Sequence, residues 1–265
     1  MKISRILTSK WMIFLPIFGI IPWGGMLIGM ISAWAIQGHP LYWFMDSYQY
    51  PVYISDVGAT SLQPLFIVGV AVNVAVFLMT LALIMYLRDR YDKWFEKDGE
   101  RHNRNLAIAA ISFAVLGELG ILFVSIFNTN IFHKTHIAML GIFLLGLLVS
   151  LILQCTQYWR MGDVIGHGFN HYKISFVLKL VFTVVALALA IAFYKVSDYS
   201  KSAAIEWSLA FFYNLIFFIF AYDLYVLNTS IQRERNSGPH QGDLTENEKS
   251  AHSTMAANND EETIV

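Results

Sequence analysis

The sequence predicts an all-α membrane protein, a polytopic bundle of about six transmembrane helices with both termini in the cytosol. Two observations carry this prediction. First, 56% of the 265 residues are hydrophobic and only 14% are charged, whereas a soluble domain carries about a quarter of charged residues. Second, six long apolar runs recur along the chain, and each approaches or exceeds the roughly 20 residues with which a helix crosses a bilayer.

The apolar runs give the predicted helices, and polar segments separate them. The runs cover residues 11–36, 65–87, 106–127, 136–159, 174–194 and 203–227. The first run follows a basic start and superficially resembles a secretory signal. It exceeds the roughly 7–15 apolar residues of such a signal, so we interpret it as a retained helix. Residues 37–64 are predicted to form an ordered external cap, and residues 228–265 a disordered cytosolic tail.

Basic residues are distributed unevenly between the two sides of the predicted bundle. Most of them flank the N-terminal segment, the connections after the second and fourth helices, and the start of the tail, whereas the other side has Lys134, Lys195 and Lys201. Because basic loops stay in the cytosol, both termini are predicted there and the 37–64 loop on the opposite side. Asp223 is expected to pair with a base such as Arg160. The residues predicted at the cytosolic interface are Arg88, Arg90, Arg160 and Asp223.

Several classes of protein are disfavoured by composition and by the absence of sequence signatures. The net charge of −1 provides no large basic face, so no nucleic-acid partner is predicted. The sequence contains no P-loop, no G-x-S-x-G elbow and no Rossmann glycine pattern with a following strand. We therefore predict no catalytic residues and no cofactor.

The predicted cap contains a polar, turn-rich stretch, PVYISDVGATSLQP, from Pro51 to Pro64. Its prolines cannot continue a helix and constrain the residues before them. Asp56 and Gly58 suit a Ser-Asp-x-Gly turn. We interpret Asp56 as an acid that caps this turn or a helix start. The alternative is that Asp56 binds a lipid headgroup or a metal directly.

Glu118 lies well inside the third apolar run, in the segment LGELGILFVSIF. A carboxyl group within a membrane is costly, and by default it marks a functional site that includes a partner. Gly117 and Gly120 flank it and predict the close approach of a neighbouring helix, while Ser125 lies two turns further on the same face. A functional site and a carboxyl group hydrogen-bonded between packed helices both remain open as interpretations.

Two histidines and an acid share the predicted external face. His133 and His136 are placed in the short connection between the third and fourth helices, and Glu206 opens the sixth helix. Imidazole and carboxylate both suit zinc, but H-x-x-H in a loop is a weak pattern and no complete metal signature is present. We therefore predict no metal site. The histidines are interpreted as groups that contact headgroups or close the hairpin.

Several segments together carry a resemblance to a known family. They are YISDVGA at 53–59, LGELGILFVSIFNT at 116–129, QYWRMG at 157–162, HYKISFVLKL at 171–180 and AAIEWSLAFFYNLIFFIFAYDL at 203–224. The sequence resembles the Frag/DRAM/Sfk family of six-span membrane proteins over roughly residues 11–227, and within it the fungal Sfk-like branch. It departs from the family at Asn128 and Gln157, where the family has acids. Residues 60–64, TSLQP, stand where the DRAM branch has a Pro-Pro-Glu element.

The resemblance implies a plasma-membrane protein that is not itself an enzyme. Sfk-like members are associated with phosphatidylinositol 4-kinase, with sterol retention and with lipid asymmetry between leaflets. The implied partners are therefore membrane lipids and a phosphatidylinositol 4-kinase complex. DRAM-like members modulate autophagy from lysosomal membranes, and the Frag branch remodels the lipid of GPI anchors. These relatives leave lysosomal, vacuolar or Golgi membranes as alternative locations.

These observations favour a membrane regulator or scaffold of lipid organisation. The candidate residues for a lipid cleft or for bundle architecture are Asp56, Gly58, Glu118, Ser125, His133, His136 and Glu206. One rival is a metal-assisted intramembrane hydrolase or acyltransferase, for which the candidate acids and histidines would have to converge. Another rival is a transporter with Glu118 as its proton-coupled group.

Overall fold

The computed structural model describes residues 9–45, 47–91, 100–165 and 170–236, and within these ranges all regular secondary structure is helical. A short 3-10 helix, Lys10–Phe14, precedes the first α-helix. The α-helices are α1 (Leu15–Ile36), α2 (Ile54–Gly58), α3 (Gln63–Tyr91), α4 (Glu100–Ile126), α5 (Thr129–Ile165), α6 (His171–Lys195), α7 (Tyr199–Tyr213) and α8 (Leu215–Asn236). Two compact units divide the chain, Met1–Leu227 and Asn228–Val265.

Six helical segments of the described chain are long and apolar enough to cross a membrane. They are Trp11–Ile36, Gln63–Tyr91, His102–Ile126, Thr129–Val164, His171–Lys195 and Tyr199–Gln232. The predicted all-α class and the predicted number of spans are therefore confirmed. The sixth span comprises α7 and α8, which are separated at Asn214, where the sequence predicted one continuous helix.

Capping residues set several helix ends. Asn170 accepts a hydrogen bond from the Lys173 amide (3.1 Å) at the start of α6, and Asp198 accepts one from the Lys201 amide (2.9 Å) at the start of α7. These side chains satisfy amides that have no partner within their own helix. Pro64 lies in the first turn of α3, where its missing N–H costs nothing. Pro64 therefore favours a helix start at this point, and α3 begins at Gln63, inside the predicted cap.

The α4–α5 hairpin is tighter than predicted. Only residues 127 and 128 separate the two helices, and the Asn128 side chain accepts a hydrogen bond from the Ile131 amide (2.9 Å). α5 begins at Thr129 and is kinked at Phe132 (φ −120°, ψ 40°), so His133 and His136, both predicted in the connection, lie in this helix beyond the kink. An added Cβ on Gly120 would lie 2.7 Å from the Phe143 backbone nitrogen. This confirms the predicted close approach beside Glu118.

Residues 37–62 lie between α1 and α3, and the end of the bundle that carries them is called the capped end below. The chain leaves α1 through Gly38 (φ 81°) and His39 (φ 59°), in the left-handed region that glycine adopts most readily. The Trp34, His39 and Tyr50 rings then pack together, with centroids 4.5–5.5 Å apart. The described residues of the predicted cap thus include this ring cluster and helix α2.

At the end of the chain, α8 continues to Asn236, whereas the sequence predicted disorder from residue 228. That part of the prediction was wrong, because the helix does not stop where the apolar run does. The rest of the predicted tail, residues 237–265, lies outside the described residues. Most of the predicted second connection, residues 92–99, lies outside them as well.

Candidate functional site

Two adjacent residues of α7 hold the cap onto the bundle. The Glu206 carboxylate accepts a hydrogen bond from the Ile54 amide at 2.7 Å. The Trp207 indole donates one to the Val52 carbonyl at 2.6 Å. Tyr53 lies between these two contacts, in an extended conformation, and is the N-cap residue of α2 without a side-chain capping bond of its own. Glu206 therefore supplies the N-terminal capping hydrogen bond for α2 that no side chain near α2 in the sequence provides.

Asp56 lies in the first turn of α2 and is half-buried. A carboxylate is favourable at a helix start, in agreement with the interpretation from the sequence, although the side chain that caps the Ile54 amide is Glu206. Burial raises the pKa of the nearby Tyr53 phenol, and the charges of Glu206 and Asp56 raise it further against the hydrogen bond from Ser202. Tyr53 is therefore neutral at physiological pH.

Gly58, at the end of α2, gives the cap room to sit on α3. A Cβ at this position would lie 2.5 Å from the Phe66 ring, so a larger residue would push that ring aside. Gly58 is buried. Its φ is negative, since Gly38 is the only described glycine with a positive φ. The requirement for glycine here is therefore one of packing and not of backbone conformation.

A second set of hydrogen bonds joins the cap to the α4–α5 hairpin. The Gln63 side chain donates to the Ile126 carbonyl at 2.9 Å and accepts from the Asn128 side chain at 3.3 Å. The His136 ring, which is buried, meets the Phe127 carbonyl at 2.8 Å through Nδ1. Because a carbonyl only accepts, this nitrogen carries the proton. His136 thus closes the hairpin, which is one of the two roles proposed for the histidines from the sequence.

The side-chain contacts of Ser125 and His133 are local. Ser125 is buried, and its hydroxyl donates to the Leu122 carbonyl of its own helix at 2.7 Å. His133 is exposed, with Nδ1 3.1 Å from the Thr129 hydroxyl. Among the described residues no three His, Cys, Asp or Glu side chains lie close enough together to hold a metal ion.

Glu118 finds its partners on two other helices. Its Oε1 accepts a hydrogen bond from the Tyr213 hydroxyl at 2.8 Å, and the Asn73 amide donates to that hydroxyl at 3.3 Å. Glu118 and Asn73 are fully buried. The second carboxyl oxygen of Glu118, Oε2, and the single amide oxygen of Asn73, Oδ1, have no hydrogen-bond partner. The interior carboxyl group therefore joins α4 to α3 and α7, and its network is only partly satisfied.

Aromatic rings surround Tyr213 and fix its hydroxyl. The Trp23 ring lies 5.2 Å away between centroids, and Phe217, Phe77 and Phe143 lie at 5.8–6.1 Å. Contacts of this kind add about 0.5–1.5 kcal/mol per pair beyond the area they bury. Tyr213 was not among the candidates chosen from the sequence. A polar aromatic residue in the same span as Glu206 was the signal that could have identified it.

A cleft of about 430 Å³ lies beneath the cap, between α1, α4, α5, α6 and α7. Its walls are almost entirely aliphatic and aromatic, with Leu140, Phe143, Phe182 and Leu209 among the lining residues. Of the seven candidate residues, His136 and Glu206 line this cleft. Glu118 does not line it, but its partner Tyr213 does.

A buried charged cluster lies within the other half of the bundle. Lys179 Nζ and the Asp223 carboxylate are 2.5 Å apart, and both side chains are almost fully excluded from solvent. Asp223 also accepts hydrogen bonds from Ser175 at 2.5 Å and from Tyr158. The predicted pairing with Arg160 was wrong, because Arg160 is exposed and Lys179 occupies the site. Lys179 lies inside the fifth span and not in a flanking segment, where a basic partner was predicted.

The predicted interface arginines differ in environment. Arg90 is exposed, as Arg160 is, but Arg88 is buried. Its guanidinium lies 4.1 Å from the centre of the Tyr158 ring, close enough for a cation–π contact. Arg88, although predicted at the interface, is therefore packed within the bundle.

Comparison with known proteins identifies the family. Residues 11–227 match the family described as Frag1/DRAM/Sfk1/Cwh43P N-terminal domain. Protein SFK1 of Saccharomyces cerevisiae is 34% identical over 82% of this chain and 79% of its own length. Protein sfk1 of Schizosaccharomyces pombe is 25% identical over 80% of this chain and 63% of its own length. No solved structure matches. The chain therefore belongs to the Frag1/DRAM/Sfk1 family of membrane proteins, as a fungal Sfk-like member.

Proposed function

We propose that this protein is a non-enzymatic regulator or scaffold of lipid organisation in the plasma membrane. In this role it supports phosphatidylinositol 4-kinase function or the asymmetry of sterol and phospholipid between leaflets. The observation that carries the proposal is the apolar cleft of about 430 Å³ within a bundle of membrane-spanning length. Ligand sites have volumes of about 300–1,000 Å³ and mostly apolar walls. Because membrane lipid would surround this bundle, lipid is the ligand that the cleft would meet.

The engagement of the candidate side chains supports a binding role in preference to catalysis. Glu206 accepts from the Ile54 amide, His136 meets the Phe127 carbonyl, and Glu118 accepts from Tyr213. A general acid or base must instead lie within hydrogen-bond reach of a substrate proton. Carboxyl and imidazole groups that hold a cap and a hairpin in place serve to preserve the shape of the cleft.

The proposed orientation places the capped end outside the cell and both termini in the cytosol. Near the opposite end, Arg90 and Arg160 are exposed, and basic side chains close to the cytosolic leaflet attract anionic lipids by about 1 kcal/mol each. This face is where a phosphatidylinositol 4-kinase complex would be recruited, together with the tail that follows α8. The DRAM-like and anchor-remodelling activities are the alternatives within the family.

The test uses native cells that express the protein at its normal level with a small C-terminal tag, beside cells that lack the protein. We expect a plasma-membrane signal. In the deletion cells we expect less phosphatidylinositol 4-phosphate at the plasma membrane, or more aminophospholipid in its outer leaflet, measured with a fluorescent reporter and an impermeant amine reagent. The matched variants are Glu206→Ala, which loosens the cap, and Lys201→Ala, an exposed change in the same helix. A vacuolar or Golgi signal with both lipid readouts unchanged would overturn the proposal.

A further inference from the structure

The cleft is long. Its lining residues on α5 run from His136 to Leu151, and those on α6 run from Phe182 to Lys195. At the helical rise per residue these stretches correspond to about 20 Å of length. The volume of about 430 Å³ is distributed along that length, so the cleft is an elongated slot. An almost wholly apolar slot of this length suits an extended hydrocarbon chain.

Polar groups are concentrated at one end of the slot. Ser55, His136, Lys195 and Glu206 line the end beneath the cap. Deeper in the slot, the Thr183 hydroxyl donates to the Lys179 carbonyl of its own helix at 2.7 Å, and the Tyr213 hydroxyl donates to Glu118. An occupant would thus find polar groups at the capped end and hydrocarbon along the rest of its length.

Small residues create the width of the slot. Gly141 lies on its wall, and a Cβ at this position would meet nothing within 4 Å. Ala186 and Ala190 line the opposite wall on α6. Gly141 is therefore not required by close helix packing, in contrast to Gly120, whose Cβ would clash with the Phe143 backbone.

Lys195 brings a positive charge to the mouth of the slot, where the Glu206 carboxyl group is already engaged by the Ile54 amide. Its side chain is exposed at the end of α6, and within the described part of the chain it pairs with no carboxylate. Its Nζ lies 5.6 Å from the centre of the Tyr194 ring. An ammonium group at the membrane surface is a natural partner for a phosphate or carboxylate head.

We infer that the slot binds a long hydrocarbon chain that carries an anionic head, with the chain between α5 and α6 and the head beside Lys195. A phospholipid of the leaflet at the capped end and a free fatty acid share this chemistry. A sterol has only an uncharged hydroxyl and offers no anionic head to Lys195. This inference rests on the proposed function, because it names the ligand class of the same cleft.

The experiment uses the full chain in phosphatidylcholine nanodiscs doped with one photoreactive probe at a time. The probes carry a diazirine in a phosphatidylglycerol chain, in a phosphatidylcholine chain, in palmitate or in a sterol, and mass spectrometry locates the labelled peptides. The blocking variant is Gly141→Phe. Its matched control is Gly25→Phe, because Gly25 is also an open glycine of a membrane-spanning helix but does not line the slot. Ala186→Leu serves as a second blocking variant if Gly141→Phe is not monodisperse.

We expect chain probes to label slot peptides of α5 and α6 in the unmodified protein and in Gly25→Phe. Labelling should fall about tenfold in Gly141→Phe, equivalent to about 1.4 kcal/mol of binding. Lys195→Ala should weaken labelling by the anionic phosphatidylglycerol several-fold more than labelling by phosphatidylcholine. Labelling by phosphatidylglycerol supports a phospholipid source, and labelling by palmitate alone supports a fatty acid.

Equal labelling of the unmodified protein and Gly141→Phe would overturn the inference. A sterol probe that labels the slot while the chain probes do not would overturn it as well. If the slot stays unlabelled while deletion cells still change their lipid distribution, the inference fails and the proposed function stands. If the slot is labelled while the cellular readouts are unchanged, the proposed function fails and the binding site stands.

Discussion

Glu206 accepts a hydrogen bond from the backbone amide of Ile54, a residue 152 positions earlier in the chain. This contact joins two of the segments that carry the family resemblance, YISDVGA at 53–59 and the last-span segment at 203–224, which contains Glu206 and Trp207. Trp207 completes the attachment through the Val52 carbonyl. The two motifs therefore form one structural unit that closes the capped end of the cleft.

Glu206→Ala should destabilise the protein by about 1–3 kcal/mol, because the Ile54 amide loses its partner while it remains buried. Glu206→Gln retains an acceptor oxygen and should cost less. The measurement is thermal unfolding of the purified protein in detergent, with Lys201→Ala as the exposed control in the same helix. An alanine variant as stable as the unmodified protein would show that the cap does not depend on Glu206.

Trp207→Phe should also destabilise the cap, since it removes the donor to the Val52 carbonyl and keeps most of the ring packing. Because both contacts hold the same few residues of the cap, the effects of Glu206→Ala and Trp207→Phe should not add. A double-mutant cycle should give a coupling free energy of about 0.5–3 kcal/mol. Strict additivity would mean that the two contacts act on separate parts of the cap.

Tyr213→Phe should lower the free energy of unfolding by about 1–3 kcal/mol. It leaves the buried Glu118 carboxyl group and the buried Asn73 amide without the hydroxyl that both contact. Tyr194→Phe is the matched control, since Tyr194 is 83% exposed. Glu118→Gln keeps an oxygen that can accept from Tyr213 and should be milder than Glu118→Ala. Thermal unfolding of the four variants measures this ranking. A Tyr213→Phe variant as stable as Tyr194→Phe would contradict the network.

Apolar run length and composition were sufficient to predict the fold class and the six spans, because the thickness of a bilayer imposes both. Small residues around Glu118 were also sufficient to predict a close helix contact. Helix ends were predicted less well. Polar residues can continue a helix beyond the membrane, as in α8, and Pro64 can start one, as in α3.

The site could be predicted only in part. Glu206 and Asp56 were identified as candidates from their positions, but nothing local to either residue indicates that Glu206 caps α2. That hydrogen bond depends on the tertiary packing of α7 against the cap. Lys179 was not predicted as a partner of Asp223, although its position in the sequence carried a signal. An intramembrane lysine in the fifth span and an acid in the sixth are opposite charges in an apolar solvent, and their pairing could have been predicted from that fact.

Gly120→Leu should prevent the α4–α5 hairpin from closing, because even its Cβ would lie 2.7 Å from the backbone nitrogen of Phe143. Backbone cannot move aside as a flexible side chain can, so we expect low yield and aggregation. Gly25→Leu places the same side chain where no atom lies within 4 Å, and it should behave normally. Size-exclusion chromatography of the two variants distinguishes the cases. A monodisperse Gly120→Leu protein would mean that the hairpin is looser than described.

The buried pair of Lys179 and Asp223 provides the last prediction. Removal of one partner leaves the other charge uncompensated in an apolar interior. Lys179→Met or Asp223→Leu alone should therefore lower the free energy of unfolding by about 3–5 kcal/mol. Ser175 and Tyr158 donate to Asp223, and they retain part of its solvation when Lys179 is lost. Lys179→Met should therefore be the milder of the two single variants.

The double variant Lys179→Met/Asp223→Leu replaces both charges with apolar side chains of similar size. It should recover much of the lost stability, because the desolvation of two charges offsets most of the attraction between them. Thermal unfolding of the four proteins measures the recovery. The double variant would contradict this expectation if it were no more stable than the less stable single variant. That result would mean that leaving the Ser175 and Tyr158 hydroxyls without an acceptor destabilises the protein more than leaving Lys179 without a counter-charge.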